Sequence, residues 1–361
     1  MAVSFFTENT TPNLIILETQ LSGDELFEKV GGLADVCDEG TEVLVLGTAN
    51  DVDTYRTLVN EGVSDYLVGP FDAVQVFNAI ETVAVDPDAP PRGQLIAFIG
   101  SNGGVGSSTV AANTTWSMAQ LYNDDAVMLD LDLAFGTVGL SFNQEPQQGM
   151  EDALAATDRL DEMLLERFMA VPEEHIKLLC SPVTLATASD INLQSLDALL
   201  ELVRRTAPFI VVDIPHGWTA WQQHAMMQAD EIVLTTTLDL AGLRDTKNLI
   251  DLLESKRANE APVRMILNHQ GAFRKTQLSA KEFEAGVGST GALTIDHDPD
   301  LFGNAVNNGQ VIGAINASHT VVEGFNELAK LVSGMDITKK KAVDKTSKKG
   351  VFDFLKRKGK G

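Results

Sequence analysis

The stretch Ser101-Asn102-Gly103-Gly104-Val105-Gly106-Ser107-Ser108-Thr109 constrains this chain more than any other feature, because of what flanks it. Gln94 to Ile99 is a largely apolar run of the kind that forms a buried strand, and Val110 to Leu121 has helical spacing of apolar residues. A strand that turns through glycines into a helix leaves the first helical amides unpaired. It also presents the positive end of the helix dipole and lets an anion approach the backbone. The arrangement predicts a phosphate site in an α/β domain rather than a mere tight turn.

The ordinary pattern G-x-x-x-x-G-K-[ST] is not met, since Ser101 stands at its first glycine and Ser107 at its lysine. Downstream, Val127-Met128-Leu129 runs into Asp130 and Asp132, and Phe209-Ile210-Val211-Val212 delivers Asp213, followed by Ile214-Pro215-His216-Gly217. Carboxylates at the carboxyl ends of such strands lie where open α/β sheets bind ligands. An acidic pair there has a structural use as well, capping a turn. A further strand, Arg264 to Leu267, ends at Asn268.

With 361 residues the chain is long enough to bury two separate cores. Residues 86–93 contain Pro87, Pro90 and Pro91 without apolar periodicity, and predict a linker. Upstream of it, the runs Asn13–Leu17, Glu42–Leu46 and Asp65–Val68 alternate with helical patterns over Asp24–Val36, Val52–Glu61 and residues 73–84. That alternation predicts a second parallel sheet. The domain expectations are 1–85, a linker over 86–93, 94–336, and a basic disordered tail over 337–361.

The net charge of −24 is unevenly spread: residues 338–361 carry ten Lys/Arg against Asp344 and Asp353, a balance of +8, leaving −32 for the rest. A body so acidic repels nucleic acid, so any polyanion contact belongs to the tail. Phe352, Phe354 and Leu355 beside its lysines suggest contact with anionic lipid, each nearby Lys/Arg adding ~1 kcal/mol; a solvated tail or a protein partner are the other readings. No apolar run approaches the roughly 18 residues of a membrane span, and no secretory signal opens the chain, so a cytoplasmic location is expected. Cys37 and Cys180 lack C-x-x-C spacing and read as buried apolar residues. The six histidines lack ligand spacing and read as packing or surface residues, so no zinc is expected.

The phosphate loop resembles the deviant Walker A loop K-G-G-x-G-K-[ST] of the MinD/ParA ATPases, with Asn102 and Ser107 in place of its two lysines. The resemblance implies a parallel-sheet P-loop NTPase domain that binds ATP and Mg²⁺. Asn102, Gly103, Gly104, Val105, Gly106, Ser107, Ser108 and Thr109 would bind the phosphates. Ser108 and Asp213 would hold Mg²⁺, the latter through water, Asp132 would position the attacking water, and Asn268 would read the adenine edge. Ile295-Asp296-His297-Asp298-Pro299 resembles the family's I-P-x-D-P turn, with Asp296 replacing its first proline. Because both cations that stabilise transferred phosphoryl charge are gone, hydrolysis is expected to be slow or absent while binding survives.

The stretch Ala229 to Asn248 resembles the CpaE/TadZ pilus-assembly proteins more than MinD or ParA proper. Residues 1–85 resemble the later part of a response-regulator receiver, a partial flavodoxin-like domain. Glu18 falls at the phosphorylated aspartate, Thr48 at the hydroxyl residue and Gly69 at the essential lysine. Without the aspartate and lysine, acyl-phosphate chemistry has no support, which implies an interaction module. The front of a receiver is missing, so an upstream start is expected. Together the resemblances imply an ATP-binding localisation or assembly factor for a Tad/Flp pilus apparatus. It would form a nucleotide-promoted homodimer and meet pilus or secretion machinery proteins at the inner membrane or cell pole. A turning-over ATPase and a nucleotide-independent scaffold are the alternatives.

Overall fold

The structure is a computed structural model that describes residues 5–7, 11–37, 41–49, 52–71, 73–84, 92–181, 190–257, 260–273 and 275–334. The expected tail, and the linker from 86 to 91, lie outside the described residues. The chain divides into two compact units, Met1–Pro90 and Pro91–Gly361.

In the first unit β1 (Leu14–Glu18), β2 (Glu42–Gly47) and β3 (Asp65–Val68) pair in parallel in that order. The helices α1 (Asp24–Ala34), α2 (Val52–Asn60) and α3 (Ala73–Ala84) follow them in turn. Successive strand side chains point to opposite faces. Ile15, Val43, Val45 and Tyr66 accordingly pack with Leu26, Val30, Leu33 and Leu58, while Leu44 and Leu46 meet Ala79 on the other side. Cys37 departs from expectation: it lies past the end of α1 and is only partly buried, whereas Cys180 is buried.

The second unit holds an eight-stranded sheet. Its strands are β4 (Gln94–Gly100), β5 (Ala126–Asp130), β6 (Ala170–Glu173), β7 (Ile176–Leu179), β8 (Phe209–Ile214), β9 (Glu231–Thr237), β10 (Arg264–Gln270) and β11 (Gly291–Asp296). Their order is β11-β10-β9-β4-β8-β5-β7-β6, parallel throughout except for β6, which runs antiparallel to β7. This edge hairpin was not legible in the sequence. Pro172 interrupts its short run, and proline is tolerated in a strand only at an edge, where its missing N–H breaks no ladder.

Helices cover both faces: α4 (Ser107–Tyr122), α5 (Leu193–Val203), α6 (Ala220–Gln228), α7 (Leu240–Lys256), α8 (Ala280–Val287), α9 (Pro299–Asn308) and α10 (Thr320–Val332), with shorter turns between. The apolar run of β4 serves two cores at once. Leu95, Ala97 and Ile99 pack with Leu199 of α5, Met226 of α6, Leu253 of α7 and Phe283 of α8. Ile96 and Phe98 pack with Val110 and Met118 of α4 and Phe325 of α10. From β4 the chain leaves through α4 to β5, while β8 leads to β9 on the other flank of β4. The connections therefore diverge at the carboxyl end of β4, the kind of crevice in which open α/β sheets bind ligands.

A candidate phosphate and cation site at the end of β4

The turn from β4 into α4 has glycine where the backbone needs it. Gly104 and Gly106 have φ of +80° and +89°, a region that costs residues with a Cβ but not glycine. A Cβ on Gly103 or Gly104 would meet nothing within 4 Å, so open space lies over these amides, whereas on Gly106 it would sit 2.5 Å from Asn268 Nδ2. Helix α4 starts at Ser107, three residues before its apolar pattern begins. Its cap, Gly106, contributes no side-chain hydrogen bond to the first turn. Ser107 Oγ is buried without a hydrogen-bond partner. Uncapped helical amides, an orphaned hydroxyl and room above the glycines fit an oxygen-rich anion.

The carboxylates stand beside it. Strands β5 and β8 are neighbours, and Asp130 is the register partner of Asp213. Asp130 is fully buried; its Oδ1 accepts from Asp132 N at 3.1 Å and its Oδ2 from Val138 N at 3.1 Å. Gly136 packs so closely on this carboxylate that a Cβ would overlap it. Burial, with Asp213 alongside, holds the Asp130 carboxyl well above the ordinary carboxylate range. Burial likewise pushes Asp213 up to about 6, against the hydrogen bond it accepts from the Ser108 hydroxyl and with the charge of Asp132 adding to the rise. The Cys180 thiol is pushed to about 12 by burial and then by Asp130, which leaves it unreactive as a nucleophile at neutral pH.

Buried acids that resist ionisation together are a place where a cation relieves repulsion. Mg²⁺ commonly takes only one or two protein oxygens and completes its shell with phosphate and water. The Ser108–Asp213 pair at the lip of an anion cradle suits that chemistry. Asp132 is half-buried, and its Oδ1 accepts from Phe135 N at 2.9 Å, so it caps the turn after β5 as well as contributing charge to the site.

Asn102 has turned aside from the cradle: its Nδ2 donates to Asp245 Oδ2 at 2.8 Å, and Ser101 Oγ lies 3.0 Å from its Oδ1. Val105 is buried, while Ser108 and Thr109 are half-buried in the first turn of α4. Asn268 lies against the loop, with Nδ2 donating to Val105 O at 2.8 Å and Oδ1 accepting from His269 N at 2.8 Å. One half of that amide thus braces the loop backbone, and the other closes on the residue that follows it in β10.

Two features near the loop escaped sequence reasoning. Asp245 binds the Arg244 guanidinium through Nε at 2.7 Å and Nη2 at 3.2 Å. His269, at φ +56°, places its Nδ1 3.3 Å from His297 Nδ1, and burial followed by His297 lowers its pKa. Asp245 and Asn102 are 143 positions apart in the chain, and no local pattern signals such a meeting.

Comparison with known proteins agrees with this geometry. Residues 93–262 match the family described as an AAA domain. The septum site-determining protein MinD of Synechocystis sp. is 26% identical over 167 residues, which is 45% of this chain and 60% of that protein; the chain thus spans less than two thirds of that relative's length. Among solved structures, a ParA family ATPase from Chlorobium tepidum superposes with a TM-score of 0.61 at 22% identity, covering 66% of this chain and 98% of the other. MinD of Pyrococcus horikoshii complexed with Mg-ADP gives 0.59 at 20% identity, covering 67% and 96%. At these identities the structures show the fold. The family match, the sequence relatives and the shared fold together support membership of the MinD/ParA ATPase superfamily.

Proposed function

We propose that this protein binds ATP and Mg²⁺ at the end of β4, and that the nucleotide serves to assemble it rather than to be turned over rapidly. The observation that carries the reading is a loop whose anion cradle is intact and whose cationic positions, Asn102 and Ser107, are neutral. The amides of Gly104 to Thr109 donate to phosphate oxygens, and Ser107 Oγ gains the partner it lacks. Ser108 and Asp213 hold the Mg²⁺, whose charge relieves the repulsion among Asp130, Asp132 and Asp213. Bound Mg²⁺ would supply charge neutralisation at the phosphates. What the chain itself lacks is a loop lysine to stabilise charge developing on a transferred phosphoryl group, so turnover is slow.

The assembly formed is a homodimer, tested by light scattering with and without Mg-ATP. A mass that stays monomeric at saturating nucleotide sinks the dimer. A second reading, a turning-over ATPase, is favoured by one observation: Asp132 stands close enough to Asp213 for its charge to be felt there. Steady-state phosphate release that falls in Asp132→Ala would establish it; release at buffer level in both proteins would remove it.

The stretch Ala229 to Asn248 and the resemblance of residues 1–85 to a receiver extend the proposal to a CpaE/TadZ-like role. The first unit then acts as an interaction module that addresses the dimer to pilus machinery at the inner membrane. No helix among the described residues is long and apolar enough to cross a membrane, so in this proposal attachment is peripheral. Deleting the gene in the source cell should abolish surface pili, with Gly104→Val failing to restore them. Normal piliation in the deletion strain would contradict the assignment.

A further inference from the structure

We propose that Arg244 is the cation that grips the terminal phosphate of the bound nucleotide, in place of the positive charge that residues 101–109 do not carry; the inference rests on the nucleotide-binding reading above. The loop from Ser101 to Thr109 contains no lysine or arginine, and its Ser108 donates to the Asp213 carboxylate, beside which Asp132 adds further negative charge. A polyphosphate entering there needs a compensating donor beyond the metal. The hydrogen bonds of the loop lead to one. Ser101 Oγ lies 2.9 Å from Thr236 Oγ1, Asn102 Nδ2 donates to Asp245 Oδ2 at 2.8 Å, and Asp245 in turn holds Arg244 through two nitrogens.

Sequence neighbours on a helix point about 100° apart and do not ordinarily face each other. A two-point pairing between Arg244 and Asp245 therefore draws the guanidinium round toward the side on which Asp245 meets Asn102. The two partners differ in environment: the side chain of Asp245 is 23% exposed and that of Arg244 is 71% exposed. The carboxylate is thus the fixed post and the guanidinium the movable arm. The donor fork that fits a carboxylate also fits a phosphate, and a solvent-exposed ion pair is cheap to exchange. Were Arg244 only a surface partner of Asp245, the pairing would not need a carboxylate that is also bonded to the phosphate loop. Asn102 has a role in this arrangement: at the position of the missing lysine it anchors the post that stations a different cation at the loop.

The test is titration calorimetry of the full chain with Mg-ATP and with Mg-ADP, for the wild type, Arg244→Ala, Arg244→Lys and Asp245→Asn. Arg244→Ala should weaken Mg-ATP binding about tenfold or more and Mg-ADP binding far less, as loss of a charge-assisted contact to the terminal phosphate requires. Arg244→Lys should recover part of the ATP affinity. Asp245→Asn, which frees the arm, should leave a clear preference for ATP. Equal ATP binding by wild type and Arg244→Ala overturns the inference while leaving the nucleotide site standing, and so does an equal loss for both nucleotides. A wild type that binds neither nucleotide overturns the nucleotide reading itself, and the inference with it. Arg244 is exposed, so its substitutions leave the fold intact, and matching circular dichroism spectra check this for all three variants.

Discussion

The two parallel sheets of this chain present opposite faces of one rule. Both deliver the ends of their strands to a carboxyl edge. In the first unit that edge carries Glu18 and Thr48, both exposed, with Gly69 after β3. In the second, Ser108, Asp130, Asp132 and Asp213 converge there, two of them buried and held away from ordinary carboxylate behaviour. Shared architecture therefore carries no shared chemistry; what separates the edges is burial of charge beside free helical amides. The buried acids of the second sheet are a stability cost, accepted where a cation can relieve it.

Substitutions at the two edges differ in the size of their effect. Gly104→Val fills the open space over the loop and forces a β-branched residue to φ +80°. It should cost nucleotide affinity more than ~100-fold, because several charge-assisted amide contacts go together; calorimetry reads this directly. Asp213→Asn should abolish the gain in nucleotide affinity that Mg²⁺ gives. The same change should raise the melting temperature of the magnesium-free protein, since it removes a buried charge whose folded-state pKa is pushed up to about 6. A lower melting point would show that the charge is already compensated.

The third effect is on pH. The folded-state pKa values of Asp213 and Asp130 are raised above the ordinary carboxylate value, so the native chain binds protons that the unfolded chain has released. The Asp213 contribution is greatest below the unfolded value and is lost as pH rises through about 6, and that of Asp130 runs in the same direction. Melting in EDTA should therefore give a higher midpoint near pH 5.5 than at pH 7.5, by a margin that shrinks in Asp213→Asn. Saturating Mg²⁺ and nucleotide should reverse the trend. The smallest effects belong to the first unit: Glu18→Gln and Thr48→Ala should each change stability by no more than about 0.5 kcal/mol, being exposed. Incubation with acetyl phosphate should leave the wild type unlabelled, and labelling lost in Glu18→Gln would erase the contrast between the two sheets.

The strands and the loop were legible in sequence because their causes are local. An apolar run of β4 or β8 announces burial on both faces, and glycine marks the backbone of the turn. Helix α4 begins earlier than its apolar spacing suggests because its first turn, Ser107, Ser108 and Thr109, follows the left-handed Gly106 and buries no apolar side chain. The β6–β7 hairpin was missed because its strands are short and one holds Pro172. Asp132 shows why a motif does not settle a role: the carboxylate placed for chemistry also caps its own turn. The family resemblance implies a base-recognition amide at Asn268, whose groups bond to Val105 O of the loop and to His269 N. The Asn102–Asp245–Arg244 chain and the His269–His297 contact join distant segments, so only the fold reveals them.

The most direct test of the account is calorimetric titration of the full chain with Mg-ATP, paired with the same titration of Gly104→Val. The account predicts saturable binding by the wild type, lost in the variant. Absence of wild-type binding at millimolar ATP would contradict it, and would make the cradle at the end of β4 a structural turn.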